Sequence, residues 1–190
     1  MTKNAVLAFA SNYGCTSEIA TEIVKILEKE GIKTIVLDLK ATKATQLPTE
    51  VEFQGVIIGS GVKINKWIKE ARAFMEKNAK RLEGSDVVLG LYVCSAFAIV
   101  DRDKARKDYL EDVAREYGLK PDIYEAFPGL LDFSKDSKMG FLDKKMLKLA
   151  AKGIAKDTGI EFNEKGRNDL RDWEEIRQFA KSFAQLMLNR

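Results

Sequence analysis

Six residues, Ser11-Asn12-Tyr13-Gly14-Cys15-Thr16, have the types and spacing of a loop that holds a phosphate. Gly14 lets the backbone approach an anion closely, and the hydroxyls of Ser11 and Thr16 are donors. The helix expected to begin here directs its free N–H groups at the same point. With no Lys or Arg in the loop, amides and hydroxyls are expected to carry the anion. An ordinary βα turn with Thr16 as its cap would use the same residues, so position has to decide. In an open α/β sheet, ligands bind beyond the carboxyl ends of the strands, at the switch between the first and third. This loop directly follows the first strand. Competing phosphate loops fail: there is no Gly-Lys-Ser/Thr of a Walker A motif, and after Gly59-Ser60-Gly61 the third glycine of a dinucleotide fingerprint is replaced by Ile64. Ala10-Ser11 and Gly59-Ser60 stand where a response regulator needs acids. A mononucleotide phosphate remains.

Composition narrows the chemistry further. The chain has 190 residues, 45% of them hydrophobic, as in an ordinary globular protein, and no histidine. Mechanisms that use imidazole as base or metal ligand are therefore excluded. A cofactor that brings its own chemistry suits such a chain. The formal charge of +3 is spread too evenly to argue for nucleic acid. Cys15 and Cys94 form no CxxC, and are expected to make neither a disulfide framework nor a metal site. Met1-Thr2-Lys3-Asn4 leads straight into a strand with no signal peptide, and no apolar run approaches the ~20 residues of a membrane helix. The expected location is the cytoplasm.

The elements that position the loop alternate apolar β-type runs with helical periods, the pattern of a parallel sheet covered on both faces. Strands are expected at Ala5–Phe9, Thr34–Leu37, Val56–Ile58, Val87–Val93 and from Ile123 to about Leu131. The first helix buries Ile19, Ile23, Val24 and Leu27 and stops near Gly31. Others are expected from about Asn65 to Arg81 and from an Asp101 N-cap to Tyr117, with Gly118 behind it. A last helix starts at Asp172, with Glu175 at capping-box spacing and Trp173, Ile176, Ala180, Phe183 and Met187 as its buried stripe. The reading is a flavodoxin-like, doubly wound, five-stranded parallel sheet of order 2-1-3-4-5, a single domain over residues 1–190. An insert of roughly 132–171 follows the fifth strand. There Leu142, Met146, Leu149, Ala150 and Ile154 are expected on one helical face, and Lys145, Lys148, Lys152 and Lys156 on another. The lysines are either a solvated face or, with the apolar stripe, a membrane-surface or quinone-side element.

Phe9 to Thr16 resembles the flavodoxin phosphate loop, a Ser/Thr-x-x-Gly-x-Thr pattern. The resemblance extends to the menaquinone-dependent protoporphyrinogen dehydrogenases within the flavodoxin superfamily. It is carried by Gly59-Ser60-Gly61-Val62 with Trp67 and Phe74, by Ala126-Phe127-Pro128-Gly129-Leu130-Leu131-Asp132-Phe133, by the basic insert, and by Asp172-Trp173-Glu174-Glu175-Ile176 with Phe179-Ala180. Lys63, Ile64 and Asn65 depart from the more aromatic, glycine-bearing residues of that family.

The resemblance implies FMN, with the ring held by the loops after the third and fourth strands. Those are Ser60, Gly61, Val62, Lys63, Ile64, Asn65 and Trp67 in one loop, and Cys94, Ser95, Ala96, Phe97 and Ala98 in the other. Trp67 and Phe97 either stack on the ring or pack as anchors. Cys94 either approaches the flavin or serves as a small hydrophobe, and Cys15 offers its amide or a reactive thiol at a helix N-terminus. Lys63 either offsets charge on reduced flavin or is simply solvated. Two function classes follow: an FMN-dependent oxidoreductase taking a porphyrinogen-like or other reduced organic substrate with a quinone acceptor, or an electron carrier between redox proteins. The resemblance implies that a carrier flavodoxin is strongly acidic and docks through that charge, so the +3 charge with a basic insert favours the enzyme.

Overall fold

The computed structural model describes residues 3–83 and 86–190; Met1 and Thr2, part of the opening read above as leaderless, lie outside them. Strands β1 (Asn4–Ala10), β2 (Lys33–Asp38), β3 (Gly55–Lys63), β5 (Val88–Ser95) and β6 (Ile123–Pro128) form a parallel sheet in the order β2-β1-β3-β5-β6, with the two-residue β4 (Lys66–Trp67) hairpinned onto β3. With β5 and β6 as the fourth and fifth expected strands, this is the order 2-1-3-4-5.

The sheet is buried by the alternation of each strand. Val6, Ala8 and Ala10 of β1 pack towards α3 (Lys69–Leu82) and the helical run 102–116, while Ala5, Leu7 and Phe9 pack towards α1 (Cys15–Lys29) and α7 (Trp173–Asn189). Burial on both faces is why β1 reads as a continuous apolar run. α7 is capped as expected, Asp172 accepting from the amides of Glu174 and Glu175. The Glu175 carboxylate, however, pairs with Arg102. Asp101 likewise accepts from Lys104 N, and the helix behind it, α4 (Arg102–Arg106) continuing into α5 (Asp112–Glu116), is interrupted by a π turn at Lys107–Glu111.

Three expectations need correction. The helix expected from Asn65 begins only at Lys69, because residues 64–65 make a hairpin turn between Lys63 and Lys66. The fifth strand does not run to Leu131. It ends at Pro128, and the buried Gly129 separates it from β7 (Leu130–Asp132), which pairs antiparallel with β8 (Arg167–Asp169). This ribbon closes the base of the insert, whose helix is α6 (Phe141–Thr158).

The third concerns the insert's stripes. Leu147, Ala151 and Ile154 face the body of the protein, whereas Leu142, Met146 and Leu149 are 73%, 58% and 74% exposed. The apolar residues and the exposed Lys145, Lys148 and Lys152 therefore share the outer face instead of opposing each other. Among the described residues, no helix is long and apolar enough to cross a membrane.

Candidate functional site

The parallel register brings the chemistry-bearing loops to one edge of the sheet. Ala10 lies beside Ser60, Gly61 beside Cys94, and Ser95 beside Pro128, so β1, β3, β5 and β6 all end on the same line. The chain that leaves those ends encloses a cavity of about 340 Å³, within the range of small-molecule sites.

Ser11, Asn12, Tyr13, Cys15 and Thr16 form the first wall. Gly14 is the N-cap of α1 in the left-handed region, with φ +99°, and no side chain caps the helix. Its carbonyl accepts from Glu18 N at 2.9 Å and from Ser17 Oγ at 2.8 Å, and Ser11 Oγ accepts from Gly14 N at 3.1 Å. The first-turn amides of α1 have no intrahelical acceptor, so they remain free to meet an anion. This uncapped N-terminus, opening into a cavity, fits a phosphate. The cation absent from the loop comes from elsewhere: Lys40, on α2 (Leu39–Thr42), donates to Asn12 Oδ1 at 2.6 Å.

Residues 61–65 form the second wall and residues 94–97 the third. Ile64 and Asn65 both have positive φ, 50° and 56°, as a two-residue hairpin loop with the strand twist demands. Asn65 accepts from the hydroxyl of Tyr109, which lines the cavity from the π turn.

Besides Gly14, three residues expected at the cofactor do not line the cavity. Trp67 is 4% exposed and its indole donates to the Tyr109 carbonyl at 2.6 Å, which makes it the anchor of the two readings and not a ring partner. Ser60 is fully buried, donating to Gly61 O and accepting from Ile68 N, so it shapes the β3 loop from behind. Ala98 belongs to the core under the sheet.

The fourth wall is the insert, brought over the cavity by the packing of α6. Met139, Met146, Leu147 and Ala150 close the cavity, together with Asp143. Tyr13 donates to Asp143 Oδ2, and Lys63 Nζ reaches Asp143 Oδ1 at 3.0 Å and the Tyr13 hydroxyl at 3.3 Å. The hydrogen bond from Tyr13, reinforced by Lys63, holds the Asp143 carboxyl below the usual carboxylate range. Lys63 is correspondingly raised, chiefly by its bond to Asp143, and burial followed by the bond to Asp143 raises the Tyr13 phenol. Lys63 thus lines the cavity with its ammonium group engaged by Asp143 and Tyr13. It latches α6 to the phosphate loop. No local pattern marks Asp143 or Tyr109 as site residues, since each is brought in by the packing of its helix.

Cys15 and Cys94 are corrected as well. They are bonded to each other across the cavity wall, with Cα atoms 6.8 Å apart. The β1–β3–β5 register carries both to the same edge.

A profile of the flavodoxin domain matches residues 6–160. The chain belongs to the flavodoxin-domain family. No curated protein sequence matches it. Among solved structures, this flavodoxin domain is similar to the Flv1 flavodiiron core of Synechocystis sp. PCC6803, at 16% identity and TM-score 0.55, over 99% of this chain and 36% of that one. Rubredoxin oxygen:oxidoreductase of Desulfovibrio gigas matches at 14% identity and TM-score 0.48, over 82% of this chain and again 36% of that one. A flavodoxin of Fusobacterium nucleatum bound to flavin mononucleotide matches at 16% identity and TM-score 0.47, over 100% of this chain and 97% of that one. The chain thus spans little more than a third of the first two proteins. At 16% identity the likeness to the Flv1 core speaks for the fold alone.

Proposed function

We propose that this flavodoxin domain binds FMN and works as an oxidoreductase on a reduced organic compound, porphyrinogen-like in class, with a quinone as acceptor. The observation that carries this reading is the fourth wall: α6 folds over the cavity, latched by Asp143, where a carrier would leave its cofactor edge open to a partner protein.

The amides of residues 15–17 with the hydroxyls of Ser11 and Thr16 hold the phosphate. Residues 61–65 and 94–97 flank the ring, and Met139, Met146 and Leu147 exclude water above it. The flavin supplies the hydride and electron chemistry, which is why a chain without histidine can do this work.

Two features support a quinone acceptor at a membrane. On the far side of α6 lies a second, apolar groove of about 630 Å³, lined by Phe133, Leu149 and Phe162 and sharing Met146 with the first cavity. Exposed Phe141, Leu142, Met146 and Leu149 stand among Lys145, Lys148 and Lys152, the composition of a helix that lies in an anionic interface.

Anaerobic stopped-flow mixing of the FMN-loaded protein with protoporphyrinogen, followed by a menaquinone analogue, tests the reading. Direct reduction and repeated turnover are expected. Flavin reduction only in the presence of a redox protein would instead make the chain a carrier.

A further inference from the structure

We propose that Cys15 and Cys94 are a second redox centre of this protein: a dithiol/disulfide couple in the cofactor cavity that exchanges electrons with the bound flavin. The inference rests on the FMN reading above and adds to it a redox group made of the chain's own side chains.

The placement of the bond carries the argument. Both cysteines line the first cavity, one from the phosphate loop and one from the ring loop, so the bond borders the cofactor's cavity on one side while packing against the core under α1 and α7 on the other. A disulfide shut inside packed apolar side chains is inert. One bordering a cavity built for a two-electron cofactor has a partner within reach.

A second, independent feature prepares Cys15 for the opened state. The Arg171 side chain is wholly buried beneath the loop, and its Nη1 lies 3.3 Å from the Cys15 carbonyl and 4.0 Å from Cys15 Sγ. Its Nε and Nη2 are taken by Asp169 and Glu18, at 2.7 Å, 2.6 Å and 2.7 Å. Those carboxylates offset the guanidinium charge and fix its orientation, leaving the Nη1 arm for Cys15. A thiolate released at Cys15 therefore meets a guanidinium N–H already held in place beside it. Cys94 is 7% exposed and its Sγ lies 3.9 Å from the Pro128 carbonyl, an acceptor that suits it to be the protonated member of the pair.

The exchange balances. Closing the bond from the Cys15 thiolate and the Cys94 thiol releases two electrons and one proton, which pass to oxidised FMN and leave it as FMNH⁻. Charge is conserved, and no further oxidant is required. In the reverse direction, electrons that substrate has placed on the flavin open the bond, regenerating the thiolate at Cys15 and the thiol at Cys94. The couple thus stores a second pair of electrons beside the flavin.

The test is an anaerobic reductive titration of FMN-loaded protein, with thiols trapped by iodoacetamide at each point and counted by mass spectrometry. FMN loading is scored separately from the flavin absorbance, so failure to bind FMN overturns the functional reading and is not confused with failure of the couple. Wild-type protein is expected to take two electrons per flavin plus two more, twice the uptake of Cys94→Ser, with both cysteines becoming alkylated as electrons enter. Adding oxidised FMN to reduced apoprotein should close the bond without oxygen. If loaded wild-type protein takes only the flavin's two electrons while the bond stays shut, the disulfide is structural and the proposal fails. It fails equally if both thiols stay free with the flavin fully oxidised. The trapping readout on wild-type protein stands even if Cys94→Ser does not fold.

Discussion

The hydroxyl of Tyr92, fully buried in β5, donates to the backbone carbonyl of Thr16 at 3.1 Å and so ties the floor of the sheet to the phosphate loop. The ring fits only because the neighbouring strand has Gly59, where a Cβ would lie 2.1 Å from Tyr92 Cζ. Burial pushes the phenol well above its ordinary range, so it stays a neutral donor. Tyr92→Phe should cost about 1 kcal/mol of stability, the worth of one buried hydrogen bond. Gly59→Ala should cost about 3 kcal/mol through overpacking, and Tyr92→Leu in the same chain should recover part of it. Urea denaturation of wild type, Tyr92→Phe, Gly59→Ala, Tyr92→Leu and the double variant measures both effects. Additive losses would show that the two sites do not touch.

The phosphate loop should separate FMN from riboflavin. The free amides of α1 act on the phosphate alone, so wild-type protein should bind FMN at least about a hundredfold more tightly than riboflavin. Gly14→Val should remove most of that preference while sparing the fold. At φ +99° a β-branched residue is strained, but its Cβ would meet only Glu18 Oε1, at 3.8 Å. Thr16→Ala should lose about 1–3 kcal/mol of binding. Flavin fluorescence titration gives these affinities, and equal binding of the two flavins by wild-type protein would remove the phosphate from the site.

The Asp143 latch sets a pH range. Its carboxyl is depressed, so the stability it contributes is present above the ordinary aspartate value of 3.8 and is lost as pH falls through the lower folded value. Tyr13 and Lys63 are raised above 10.0 and 10.5, so their contributions are complete below those values and are lost as pH climbs past the raised ones. α6 should therefore hold its closure unchanged from about pH 5 to about pH 9. Hydrogen exchange of residues 138–147, corrected for intrinsic rates, should show constant protection over that range and faster exchange in Asp143→Ala. A midpoint near neutrality would rule out this latch.

The hairpin turn stores strain. Ile64 is β-branched, has φ +50° and is 75% exposed. Asparagine tolerates that conformation, so Ile64→Asn should stabilise the protein by about 1 kcal/mol, seen as a higher denaturant midpoint at unchanged slope.

The outer face of α6 should bind membranes by charge and apolar contact together. With about 1 kcal/mol for each lysine near an anionic surface, Lys145→Glu, Lys148→Glu and Lys152→Glu combined should weaken sedimentation with anionic liposomes by a hundredfold or more. Wild-type binding should also fade as salt rises. Absence of wild-type binding at low salt would leave the lysines as ordinary solvated charge.

What the sequence determined by itself was whatever depends on neighbours along the chain. The doubly buried run of β1, the Asp101 and Asp172 caps and the left-handed Gly14 are local properties, and local spacing reveals them. The strand order followed from the alternation of elements, because right-handed parallel crossovers leave few arrangements. Tertiary structure decided what depends on rotation about a helix axis and on distance through space. The apolar positions of α6 read as a buried stripe, yet the side chosen by packing of Leu147, Ala151 and Ile154 turns Leu142 and Leu149 outward. Trp67 carried a ring that suits a flavin, but the hairpin at residues 64–65 swings it into the core. Asp143, Tyr109 and Lys40 enter the site from separate elements, and Cys15 meets Cys94 only because three strands end in register. Such meetings are set by long-range packing, for which spacing along the chain has no term.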